Sequence, residues 1–298
     1  MSFIQVRNIP FHYHIDHSNS SMETIVLIHD LGLNQEVWEP FLPHLKEHYR
    51  VVKLDLRGHG RTGQGHEPVS WELLIQDLFG FLTQLELGPV HLLGYGFGAT
   101  LAVKFSLQHS DLVKSLVLLS VPAFMPKGTI SSIIESRMQL TSKGSMLTLA
   151  ESLANGISKL STDHALYNKL VSAYMAVAPA TYFQMLELFA KDPVNEDFAH
   201  LTHPTLVLVG ADDSIYLTSN ALSSQLLMHS TLIVVPDASN ALFIDQPRFT
   251  FEEVDQFIKD PSAVKTDYAS FECYVAKYVM EYFNDAFEQI LSKKAIQA

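Results

Sequence analysis

Six short runs of β-branched and aliphatic residues recur along the chain: "TIVLIHD" (24–30), "RVVKLDL" (50–56), "VHLLGYG" (90–96), "SLVLLSVP" (115–122), "TLVLVGADD" (205–213) and "TLIVVPDA" (231–238). Their apolar residues fall at consecutive positions rather than alternate ones, so each strand must be covered on both faces. Helical spacing separates most of them. That combination restricts the chain to an α/β architecture, a mostly parallel sheet between layers of helices. The opening segment, "FIQVRNIPFHYHI" (3–15), predicts an antiparallel hairpin at one edge.

Between residues 123 and 200 the strand rhythm stops. "SSIIESRMQL", "LYNKLVSAYMAVA" and "ATYFQMLELFAKD" carry helical spacing, with Pro179 and Pro193 as breakers. Doubly wound sheets bind ligands at the carboxyl ends of their strands. Residues 123–200 are therefore expected to form a helical lid over a core built from 1–122 and 201–260. The remainder, 261–298, reads as an amphipathic helical extension with an aromatic stripe of Phe271, Tyr274, Tyr278, Tyr282, Phe283 and Phe287. Such a stripe either packs back on the domain or supports a homodimer or a protein partner.

Thirty-two acidic against twenty basic residues give a net charge of −12, which argues against nucleic acid or an anionic membrane as partner. The single cysteine, Cys273, excludes an intrachain disulfide. No apolar run approaches the roughly 20 residues of a membrane span. The first residues lack the pattern of a secretion signal, so a cytoplasmic location is expected. His12 and His14 alternate onto one face of the edge strand, with His17 and His66 elsewhere, but no set has convincing metal-ligand spacing. Neither a metal nor a cofactor is expected. "GYGFGA" does not follow the first strand of its unit, as a dinucleotide fingerprint would.

Five segments point to one family. They are "LIHDLGLNQEVWEPFLPHL" (27–45), "DLRGHGRTG" (55–63), "GYGFGA" (94–99), "LVGADDSIYLT" (208–218) and "VVPDASNALFIDQP" (234–247). Through them the chain resembles the α/β-hydrolase fold superfamily over residues 3–259. The resemblance implies a mostly parallel eight-stranded sheet flanked by helices, a helical lid and, here, an extra C-terminal helix.

It also implies site positions. "GYGFG" matches the nucleophile elbow G-x-S-x-G except that Gly96 stands where the serine belongs. The elbow's central residue is held in a strained conformation, costing about 1–3 kcal/mol for a residue with a β-carbon, and glycine adopts it cheaply. The acid of the triad falls at Asp213, with Asp212 as second candidate, although either could simply cap a helix. The histidine falls at Asn240, which has no usable basicity. The sequence beyond His229 contains no histidine, and His229 itself is the one candidate for a displaced base. In the first loop His29 braces the backbone, and Asp30 replaces the usual glycine. The N–H groups of Leu31 and Phe97 would converge on a ligand oxygen, where a charged Asp30 would repel a developing oxyanion unless it turned away or were protonated.

Loss of serine or histidine alone costs about 10⁶-fold in a serine hydrolase. The expectation is therefore a catalytically degenerate member of the fold, a pseudoenzyme rather than an enzyme. Its lidded pocket, formed by Asp30, Leu31, Tyr95, Gly96, Phe97, Asp213 and Asn240, would bind a small apolar or carbonyl-bearing ligand or a protein partner. Two alternatives stand beside it. One is a lyase, decarboxylase or isomerase using Asp213, His59, His66, Tyr174 or Tyr182 to move protons. The other is a scaffold or oligomerisation module acting through the C-terminal helix.

Overall fold

Eight strands form one sheet in the order β1-β2-β4-β3-β5-β6-β7-β8 in the computed structural model, which describes residues 2–16, 22–122, 127–143, 145–192, 194–198, 200–213 and 230–262. β1 (Ser2–Val6) and β2 (Ile9–Asp16) make the edge hairpin, joined by Arg7 and Asn8, both at positive φ (50° and 64°). Positive φ at both turn residues gives the twist that two-residue hairpins require. β2 runs antiparallel to β4 (Arg50–Leu54). From there β3 (Thr24–Ile28), β5 (Val90–Tyr95), β6 (Val113–Leu119), β7 (Thr205–Gly210) and β8 (Ser230–Val235) pair in parallel.

Each of the six apolar runs continues past the strand it announced. The residues left over at the carboxyl ends, among them Asp30, Asp55, Gly96, Asp213 and Ala238, lie beyond the last residue of their strands at the edge of the sheet. Because the strands are parallel, all of these ends lie along one edge.

α1 (Leu42–Leu45) is a single turn; α2 (Trp71–Gln84) and α3 (Phe97–Gln108) cover the sheet. α2 starts at Ser70, whose hydroxyl accepts the Leu73 N–H, and buries Trp71, Leu74, Ile75, Leu78, Phe81 and Leu82 at helical spacing. Phe81 meets Tyr13 of β2 edge-on at 5.6 Å. Burying a side chain of this size contributes about 1.5–3 kcal/mol, offset in part by its lost rotamer entropy. α3 is the central helix, buried at every position from Phe97 to Ser106. Gly98 allows it to start where it does: a β-carbon there would come within 2.6 Å of the His29 carbonyl.

Between β6 and β7 lie α4 (Lys127–Lys143), α5 (Met146–Ile157), α6 (Ala165–Ala176), α7 (Pro179–Lys191) and the short α8 (Asn195–Phe198). Ser145 and His164 cap α5 and α6, and Pro179 opens α7 at the position where its missing N–H costs nothing. These helices are tied to the sheet side. The Ala241 N–H donates to the Ile157 carbonyl at 2.6 Å, and the Lys159 N–H to Asp245 Oδ1 at 2.8 Å. Lys104 of α3, lying over the Trp71 ring, reaches Asp192 and Asp197 at 3.0 and 2.8 Å. The helices Leu242–Asp245 and Pro247–Lys259 follow β8. No helix among the described residues is long and apolar enough to cross a membrane.

Candidate active site

β5 ends at Tyr95, and Gly96 turns the chain into α3 with φ 54° and ψ −113°. Few residues with a β-carbon tolerate those angles. The turn is held by the Gly96 N–H, which donates to the Leu119 carbonyl at 3.0 Å, and by the Gly96 carbonyl, which accepts from Ala99 and Thr100. The space beside Gly96 is filled from another strand. In the β3–β5 register Ile28 lies opposite Gly94, so two residues further on Asp30 lies beside Gly96. A β-carbon on Gly96 would overlap the Asp30 carboxyl, well inside van der Waals contact with Oδ1 and Cγ and 2.9 Å from Oδ2.

Asp30 is anchored there by the backbone that was expected to meet a ligand. The Phe97 N–H donates to Asp30 Oδ1 at 2.6 Å. The sequence argument treated Asp30 as a charge that would repel an oxyanion bound to those N–H groups. Instead its own carboxylate takes the Phe97 N–H, a choice of rotamer that the sequence does not encode locally. Asp30 is half-buried, enclosed by protein except where it borders a cavity. Burial pushes its carboxyl up to about 6; the Phe97 and Leu31 N–H groups and the charge of Arg137 pull in the other direction.

Asn240 and Asp213 meet as their sequence positions suggested. Asn240 Nδ2 donates to Asp213 Oδ2 at 2.9 Å, the Tyr95 hydroxyl donates to Asn240 Oδ1, and the Ser120 hydroxyl donates to the Asn240 carbonyl at 2.8 Å. Both faces of the amide are thus engaged. The Tyr95 ring is buried between Trp38 and Phe243, on the core side of this network.

Two buried histidines shape the surrounding loops. His29 Nε2 accepts the Leu56 N–H at 2.9 Å and His59 Nε2 accepts the Gly32 N–H at 3.0 Å. Their Nδ1–H groups then donate to the carbonyls of Asp30 and Arg57, at 2.8 and 2.9 Å. Burial lowers both pKa values, that of His59 to about 3, so both rings are neutral braces. His59, considered as a proton carrier, has neither nitrogen to spare. His66 is exposed. His12 pairs with Asp55 at 2.7 Å and His14 with Asp16 at 3.3 Å, so the two go to separate partners. Among the described residues no group of three or more His, Cys, Asp or Glu is arranged to hold a metal ion. His17 and His229 lie outside the described residues, as do Phe271, Tyr274, Tyr278 and Tyr282, named for a homodimer or protein partner.

A cavity of about 410 Å³ opens between the sheet edge and α4–α7. Of the expected site residues, Asp30, Leu31 and Asn240 line it; Tyr95, Gly96, Phe97 and Asp213 stand behind them. Its other wall carries Arg137 of α4 with Tyr174 of α6 and Tyr182 of α7, amid leucines, isoleucines and serines. Arg137 Nη1 donates to the Tyr182 hydroxyl at 2.7 Å. Burial pushes the Tyr182 phenol up to about 12, so it stays protonated. Arg137 escaped the sequence reading. The available signal was the i, i+4 spacing of Ser132, Ser136 and Leu140 with Ile133 and Arg137 alongside, one helix face that all turns to the cavity.

A model of the alpha/beta hydrolase family matches residues 25–253 of the chain. The chain belongs to this family. Among its relatives, the alpha/beta hydrolase described here is similar at 27% identity, over 248 residues, to the pimeloyl-acyl-carrier-protein methyl ester esterase of Aeromonas hydrophila. That match covers 78% of this chain and 94% of the relative. It is 25% identical over 241 residues to the (E)-2-((N-methylformamido)methylene)succinate hydrolase of Acinetobacter baylyi, covering 78% and 88% of the two chains. The enol-lactonase of Burkholderia xenovorans superposes with a TM-score of 0.79 at 20% identity, over 87% of this chain and all of that one, a likeness of fold.

These relatives overturn the expectation of a pseudoenzyme and the leaning away from an enzyme. Proteins that match nearly their whole length to this chain are named esterases and hydrolases. The non-hydrolytic and scaffold alternatives give way with it. The sequence argument counted the side chains at 96 and 240 as losses and Asp30 only as a charge hostile to an oxyanion. In the structure the Asp30 carboxylate arrives from the end of β3 into the space that a side chain at 96 would fill.

Proposed function

We propose that the protein hydrolyses small esters, with a water molecule activated by Asp30 in place of a serine on the elbow. The observation that carries this reading is the Asp30 carboxylate, set against the turn at Gly96 and bordering the 410 Å³ cavity. The names of the relatives, a methyl ester esterase and a hydrolase of a substituted succinate, support the substrate class. On this reading Gly96 stands at the family's nucleophile position and Asn240 at that of its histidine, and residues 123–200 act as the lid. Asp213, Tyr95 and Asn240 hold the back of the site.

The proton inventory closes without histidine. Ionised Asp30 takes one proton from water as the hydroxide oxygen bonds to the ester carbonyl carbon, and the carbonyl π pair moves to its oxygen. When the tetrahedral species collapses, the carbon–alkoxy bond breaks and the departing alkoxide takes the proton back from Asp30. Ester and water become acid and alcohol, and the carboxylate is restored. A general base is most useful with a pKa near the working pH, and burial brings Asp30 to about 6, ionised at neutrality yet more basic than a solvated carboxylate.

The test is turnover of p-nitrophenyl acetate and of dimethyl succinate by the wild-type protein and by Asp30→Asn, which keeps the shape. General-base catalysis contributes about 10²–10⁴-fold, so the variant should lose at least about 100-fold in kcat. The wild-type kcat/KM should rise with pH through about 6 to a plateau. Absence of wild-type turnover of both esters, or an unimpaired Asp30→Asn protein that unfolds like the wild type, would refute the proposal.

A further inference from the structure

Adding hydroxide to an ester places a negative charge on its carbonyl oxygen, and a site that accelerates the step must meet that charge with fixed donors. In this family member the Phe97 N–H, one of the two backbone donors expected to meet a ligand oxygen, is already committed to Asp30. A further donor is needed, and the opposite wall of the cavity offers one.

A phenol has one proton and two lone pairs. In Tyr182 a lone pair receives the Nη1–H of Arg137 at 2.7 Å. A guanidinium only donates, so the Tyr182 proton must point away from it. The ring is held firmly. It is 1% exposed, stands edge-on to Phe183 at 5.5 Å and lies under Gly32, where a β-carbon would come within 3.1 Å of Cε2. Tyr182, Arg137 and Asp30 border the same cavity, and the charge of Asp30 is felt at the Tyr182 phenol.

Resting on the ester-hydrolase reading above, we infer that Tyr182 donates the hydrogen bond to the carbonyl oxygen as it becomes negative, and that Arg137 is the positioning residue that orients and strengthens it. The charge balance favours this arrangement. When Asp30 accepts a proton from water, its negative charge passes to the substrate oxygen. The total in the cavity does not change, and the charge moves toward a cation already in place. Hydrogen bonds donated by groups that are themselves hydrogen-bonded to a cation are stronger than isolated ones.

The experiment follows p-nitrophenyl acetate hydrolysis across pH for Tyr182→Phe, Arg137→Met, Arg137→Lys, the Tyr182→Phe/Arg137→Met double variant and Asn240→Ala, beside Asp30→Asn. Removing one oxyanion donor typically costs about 10²–10³-fold in kcat. Tyr182→Phe should lose about 100-fold in kcat with KM little changed and the acidic limb unmoved. Arg137→Met should lower kcat and shift the acidic limb upward, because the positive charge that holds Asp30 down is gone. Arg137→Lys should leave the limb where it is. On the plateau above the shifted limb the double variant should be no slower than Tyr182→Phe, because Arg137 acts on the oxyanion through the tyrosine.

A Tyr182→Phe protein within threefold of wild type, or losses that multiply in the double variant, overturns the inference. So does a loss confined to Asn240→Ala, which would give the role to that amide. Arg137 lies on the half-buried rim, so if Tyr182→Phe fails to fold, an unchanged kcat in Arg137→Met overturns it equally. A retained rate in Asp30→Asn sinks the hydrolysis reading itself; a lost rate there with a wild-type Tyr182→Phe sinks only this inference.

Discussion

Replacing Gly96 by serine tests whether Asp30 truly occupies the space beside the elbow. Two costs can be separated. Residue 96 has φ 54° and ψ −113°, and holding a residue with a β-carbon there costs about 1–3 kcal/mol. The new β-carbon also overlaps the Asp30 carboxyl, which must rotate away and surrender its 2.6 Å hydrogen bond from Phe97. A hydrogen bond to a charged group contributes about 1.5–3 kcal/mol. Gly96→Ser should therefore destabilise the protein by about 2.5–6 kcal/mol. In the Asp30→Gly background only the backbone cost remains, so the coupling between the two sites should be about 1.5–3 kcal/mol. Urea titrations of the wild type, both single variants and the double variant, read by far-ultraviolet circular dichroism, give all four stabilities. If Gly96→Ser costs the same in both backgrounds to within about 0.5 kcal/mol, the two residues do not compete and the account of the site is wrong.

Three further outcomes follow from the same geometry. The folded-state pKa of Asp30 is raised to about 6, so the native state holds this proton more tightly than the unfolded chain, and stability falls as pH rises from about 4 to about 6. The melting temperature of wild type minus that of Asp30→Asn should decline across that window and be flat above it; a flat difference throughout would remove the raised pKa. His29 and His59 should be neutral Nδ1–H tautomers at pH 7.5 in ¹⁵N–¹H correlation spectra, with His59 remaining so down to pH 5, and the opposite tautomer in either ring, or titration of His59 within that range, would contradict their bracing role. Gly96→Ser with Asn240→His should not give serine-type esterase activity, because Asp30 still holds the Phe97 N–H; adding Asp30→Gly should release it. Labelling by a fluorophosphonate, which reports an activated serine, distinguishes the two, and labelling of the double variant would show that Asp30 is no obstacle.

The strands were legible because a run apolar on both faces has few other uses, and the glycines around position 96 marked the turn. The hairpin at Arg7 and Asn8 was legible too. The site was legible only in part. Asp213 and Asn240 were singled out through the family resemblance, and the structure brings them together at 2.9 Å. The direction of Asp30 could not be read. It depends on a register between strands that are distant in sequence, Ile28 opposite Gly94, and then on one rotamer. Arg137 was hidden for a different reason. α4 shows no strong division into apolar and polar faces, so the spacing that places Arg137 beside Ser132, Ser136 and Leu140 does not stand out from the rest of the helix.

The shared volume beside the elbow also constrains how this chain can change over generations. While residue 30 carries a carboxyl group pinned by the Phe97 N–H, any longer side chain at 96 meets an occupied space, so a serine placed there by one substitution is penalised. Residue 30 must shorten before residue 96 can lengthen. The order of substitution therefore matters: shortening residue 30 first opens the space at 96, whereas lengthening residue 96 first closes on the carboxyl.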